Sequence, residues 1–226
     1  MTEAEWLETK HHPQWMISDL RGTPQTRTKA GRRKLRLFAC ECCRLIWEHL
    51  TDSRMVQAVE VAERFADGNA TKAELEAVAA SLEQLTLGGD RPNEVDLRSW
   101  SVAALAQSTA DPQPFLAAFS MTTHSPTLAG FCGDEATANA QVCDLLRDIF
   151  GNLFRPVKFS RVWRSDTAVS LAKHIYESRD FSAMPILADA LQDADCDNDD
   201  VLNHCRDPQQ VHVRGCWVVD LVLGKA

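Results

Sequence analysis

Apolar residues in this chain recur at three- and four-residue steps, the period of one face of an α-helix. The clearest case predicts a helix over 32–50, where Leu35, Phe38, Ala39, Cys42, Leu45 and Ile46 form one stripe. Cys40, Cys43 and Trp47 fall on an adjoining face, so this helix is apolar around much of its circumference. Such a helix belongs at the centre of a core. Val56, Val59, Ala62 and Phe65 mark the next helix, and Leu75, Val78, Ala79, Leu82 and Leu85 the one after, together a helical hairpin. Further helices are expected over 93–109, around Phe115 and Phe119, over 134–150 and over 165–178. Three short ones follow near 184–193, 199–206 and 216–223. In the last, Val211, Val213 and the Val218-Val219 pair would also suit a strand.

Start and stop signals agree with this pattern. Thr2 with Glu5, and Thr71 with Glu74, are T-x-x-E capping boxes, in which hydroxyl and carboxylate satisfy each other's backbone N–H groups. Asp52 or Ser53, Ser165 or Asp166, and Asn198 or Asp199 can cap the helices that follow them. Gly22, Gly68, Gly88-Gly89 and Gly151 stand where helices should stop. Residues 22–31 and 122–133 read as loops, the second as a boundary. Pro156 biases the segment 152–164 towards extended backbone. The expected fold is all-α, an irregular multi-helix bundle of about nine or ten helices. It forms one helical domain over 1–226, divisible into subdomains 1–121 and 134–226.

Composition narrows the class. A chain of 226 residues, 45% of them hydrophobic, is long and apolar enough to build a substantial core. No apolar run approaches the roughly 20 residues that span a bilayer, and the opening MTEAEWLETK has no signal-peptide pattern. A cytoplasmic protein without a membrane partner is expected. Eight cysteines then read as free thiols in a reducing compartment. The net charge of −8 conceals a basic segment: 21–44 holds eight Arg and Lys against Glu41 alone, a local +7. Pairing with the acidic C-terminal half accounts for it. Nucleic-acid binding through 21–44 is the sharper alternative, and the overall acidity disfavours it. Six tryptophans, spread along the chain, are expected in the core.

The segments FRPVKF, MPILADALQDADC and HVRGCWVVDLVLGK, together with RKLRLFACECCRLIW, resemble a bacterial, planctomycete-type family of cytoplasmic proteins with no established function. The resemblance extends over most of the chain. It implies an intact bacterial protein and carries over no activity and no site residue.

Two constellations could carry chemistry. Asp193, Asp195 and Asp197 occupy the first, third and fifth positions of a calcium loop, with Asn198 sixth. The pattern fails at the twelfth, where His204 replaces the bidentate Glu, so an acidic capping loop is the better reading. Cys196, Cys205, His212 and Cys216, with His204 beside the second, offer thiolate and imidazole ligands for tetrahedral zinc. Cys40 and Cys43, one helical turn apart, could add a C-x2-C pair. Buried thiols acting as small hydrophobes are the competing explanation for both sets. The chain has no phosphate loop, no G-x-S-x-G elbow and no H-E-x-x-H. A non-enzymatic helical interaction or scaffold protein with a protein partner is the leading expectation, zinc binding the alternative.

Overall fold

A computed structural model describes residues 1–87 and 94–225. Its fold is all-α, with no strand among the described residues. The α-helices, in chain order, are α1 (Glu3–Glu8), α2 (Pro13–Leu20), α3 (Pro24–Arg27), α4 (Lys29–Arg44), α5 (Ser53–Ala66), α6 (Lys72–Leu87) and α7 (Glu94–Thr109). They continue as α8 (Pro114–Thr123), α9 (Ser125–Cys132), α10 (Glu135–Phe150), α11 (Asp166–Ser178), α12 (Met184–Gln192), α13 (Asp199–Arg206) and α14 (Trp217–Leu223). Short 3-10 turns occupy Trp47–His49, Arg161–Trp163 and Phe181–Ala183.

There are more helices than the pattern predicts, because both expected loops contain them. Helix α3 lies within 22–31 and α9 within 122–133, and each begins with a proline in its first turn. Proline is tolerated there because the N–H it lacks would have no helical partner. Helix α4 starts at Lys29 rather than Arg32, since the Thr28 hydroxyl accepts the Gly31 N–H and caps it. The stop expected at Gly88-Gly89 lies outside the described residues. Segment 152–164 holds no α-helix, only the turn at Arg161–Trp163.

Both capping boxes form. The Thr2 and Thr71 N–H groups donate to Glu5 and Glu74 at 2.6 and 2.7 Å, and each Glu N–H returns to the Thr hydroxyl at 3.2 Å. Asp52, Ser165 and Asn198 cap α5, α11 and α13 through their side chains.

The chain divides into two compact units, one of Met1 and Glu8–Cys143, the other of Thr2–Leu7 and Asp144–Ala226. In the first, α4 packs against α3, α5, α7 and α8, and Leu35, Leu37, Phe38, Ala39 and three cysteines are buried along it. Two arginines of the basic segment have carboxylate partners within the first unit. Arg33 pairs with Asp67 at 2.9 Å and Arg44 with Glu63 at 2.7 Å. The buried Arg36 donates to the carbonyls of Thr109 and Asp111 at 2.6 and 2.7 Å, tying down the end of α7.

In the second unit α12 packs on α11 and α13, and α14 packs on the same two helices. Val218, Val219 and Val222 are buried in their shared core, and Gly224 ends α14 in the left-handed conformation. That burial resolves 216–223 as a helix, because packing outweighs the modest helix penalty of β-branched residues. The expectation that all six tryptophans are core residues is corrected. Trp6 and Trp163 are buried, but Trp15 is exposed and stacks on His12, and Trp100 is exposed with its indole N–H on the Thr86 carbonyl.

Candidate metal centre

Four groups of different chemistry converge in the second unit: the Asp148 carboxylate, the His204 and His212 imidazoles and the Cys216 thiol. Asp148 is placed by the last turn of α10, between buried Leu145 and Ile149 on one side and Arg147 on the other. His204 comes from the last turn of α13, and Cys216 is the residue that precedes α14. His212 lies in the irregular stretch between them. Asp148 and Cys216 have no solvent-exposed surface, and the two imidazoles are nearly enclosed.

The distances close a ring. Asp148 Oδ1 lies 3.2 Å from His204 Nε2 and 3.0 Å from His212 Nδ1. Cys216 Sγ lies 3.2 Å from the same His204 nitrogen and 3.9 Å from the same His212 nitrogen. All four ligand atoms fall within 4.8 Å of one another. Tetrahedral zinc, with bonds of about 2.0–2.3 Å, places its ligand atoms about 3.3–3.8 Å apart. The two imidazoles meet edge to face, at 79° and 4.8 Å between centroids, so they present different nitrogens to one point.

Surrounding groups hold these ligands in place. The Val213 N–H donates to Asp148 Oδ2 at 2.8 Å and fixes the carboxylate plane, as outer-shell partners of metal ligands do. The Trp217 indole lies 5.0 Å from the His204 ring. His212 Nε2 is buried and makes no hydrogen bond.

The electrostatics are those of charge held in a core. Burial pushes the Asp148 carboxyl up, but hydrogen bonds and charge from His204 and His212 outweigh it and hold it below the usual carboxylate range. Burial, and then the Asp148 charge, push the Cys216 thiol well above its ordinary value.

Of the quartet proposed from sequence, the structure brings together His212 and Cys216. His204 joins them, and Asp148 was not foreseen. Cys196 and Cys205 lie outside the group and pack into the unit's hydrophobic core instead. Burial and the neighbouring Asp148 push the Cys205 thiol up to about 12. Cys40 and Cys43 are buried in α4, and no group of three or more ligand atoms forms around them among the described residues. The only sequence signal for Asp148 is a carboxylate set into the apolar run LLRDIF.

No family model matches this chain, and neither a curated protein nor a solved structure matches it. Among the described residues no helix is long and apolar enough to cross a membrane.

Proposed function

We propose that the second unit binds one transition-metal dication of the zinc class through Asp148 Oδ1, His204 Nε2, His212 Nδ1 and Cys216 Sγ. The observation that carries this reading is the ring of contacts. Each imidazole nitrogen has at most one proton to give, yet faces both a carboxylate oxygen and a sulfur. A proton given to the carboxylate leaves the nitrogen–sulfur contacts without a strong hydrogen bond, because a thiol is a weak donor and a weak acceptor. A single cation at the centre engages all four atoms. Two nitrogens, one sulfur and one oxygen select zinc, or iron and cobalt in its place, over the oxygen-seeking magnesium and calcium.

The role is structural. All four positions of a tetrahedral ion would be filled by protein groups, and the groups are buried, so no position is left for substrate. The ion would join the end of α10 to α13 and the start of α14, which lie far from it in sequence. This fits a non-enzymatic helical protein. Nucleic-acid binding by 21–44 ranks below it, because Arg33, Arg36 and Arg44 are engaged inside the first unit.

Cobalt substitution tests the reading. Cobalt added to metal-free protein should give the intense visible bands of a tetrahedral ion and a near-ultraviolet thiolate-to-cobalt band. Cys216→Ser should lose the second. A spectrum no different from aqueous cobalt would sink the proposal.

A further inference from the structure

The segment Thr2–Leu7 is far in sequence from the ligands, yet it belongs to the same compact unit. Its anchor is Trp6, fully buried, whose indole N–H donates to the Gly151 carbonyl at 3.0 Å. Arg147 returns a hydrogen bond to the Trp6 carbonyl at 3.0 Å. Glu3 accepts from Asn152 at 2.8 Å and pairs with Arg155 at 2.7 Å. Every one of these partners lies within seven residues of Asp148, and Arg147 is its immediate neighbour.

Gly151 faces the centre a second way. It terminates α10 in the left-handed region (φ 69°), and its N–H closes on the Arg147 carbonyl at 2.8 Å. A Cβ there would stand 3.1 Å from the Trp217 ring. Trp217 in turn lies against His204 and directly follows Cys216. The backbone at Gly151 therefore accepts the Trp6 hydrogen bond on one side and leaves no room for a Cβ beside the Trp217 indole on the other.

From these contacts, and resting on the metal reading above, we propose that Thr2–Leu7 is a strap that sets the affinity of the centre for its ion, with Trp6 and Gly151 as positioning residues for Asp148 and His204. The strap holds the end of α10 where Asp148 can share an ion with His204, which is itself seated against Trp217. Docking of the strap and binding of the ion stabilise the same turn of backbone, so each must favour the other by one factor.

The test compares zinc affinity, by competition with a chelating dye, in the wild-type chain and two mild variants. Trp6→Phe keeps the ring and loses the N–H that reaches Gly151, and Glu3→Gln weakens the outer pair. Ile175→Val, a core change on α11 of the same unit, is the control. Trp6→Phe should bind zinc about tenfold more weakly, within the range of ordinary coupling between sites. Glu3→Gln should be weaker by a few-fold, and Ile175→Val unchanged. In cobalt-loaded Trp6→Phe the visible bands should also shift, which a loss of stability alone would not cause. Wild-type affinity in Trp6→Phe, or an equal loss in Ile175→Val, overturns the strap. Failure of the wild-type chain to bind zinc at all overturns the metal reading instead.

Discussion

Cys216 and Cys205 are two buried thiols beside one carboxylate, and the difference between them is position. Cys216 Sγ lies 3.2 and 3.9 Å from two imidazole nitrogens, whereas Cys205, in the same buried core, lies outside the four-atom group. Residue type and spacing could not separate them, since C-x8-C-x6-H-x3-C contains both. The structure separates them. Cys196→Ala and Cys205→Ala should each retain one bound zinc, as read by native mass spectrometry, and Cys216→Ala should lose at least 90% of it. Retention by Cys216→Ala with loss in Cys205→Ala would restore the sequence quartet. Asp148 shows what local reading omits. Its partners are 56 and 64 residues away, and nothing within α10 announces them beyond a charge in an apolar run.

At the level of elements, the helix ends were legible because caps are chemical and local. Thr2, Asp52, Thr71, Ser165 and Asn198 each accept the backbone N–H that their position predicts. Helices α3 and α9 were not legible, because their Thr, Ser, Pro and Gly residues also suit turns and only tertiary contacts decide. The Asp52 cap also gives a pH dependence. Hydrogen bonds from the Arg54 side chain and backbone hold its carboxyl at about 2, below the ordinary 3.8. A carboxyl lowered by folding adds stability that is fully present above the ordinary value and disappears as pH falls through the lowered one. The contribution should therefore fade between pH 3.8 and about 2. The pair is partly exposed, so solvent screening keeps its contribution small. Asp52→Asn, still a good cap, should flatten that part of the stability–pH profile in urea melts and change little at pH 7. An unaltered profile would mean that Asp52 contributes nothing to acid sensitivity.

For the whole molecule, the all-α class followed from periodicity, and the central α4 from its wide apolar face. The division of labour did not. Arg33 and Arg44 of the basic segment pair with Asp67 and Glu63, at the end of α5 and within it. The second unit instead concentrates four ligand atoms at a point that no periodicity marks, because assembling them needs α10, α13 and α14 packed first. On the proposed metal reading, the centre follows from the fold and a bound ion would add to its stability. The most direct test is the zinc content of the full chain after zinc reconstitution and desalting, measured by elemental analysis alongside Asp148→Asn. The account predicts about one zinc per wild-type chain and a clear loss in the variant. Less than about one tenth of an equivalent in the wild-type chain would contradict it.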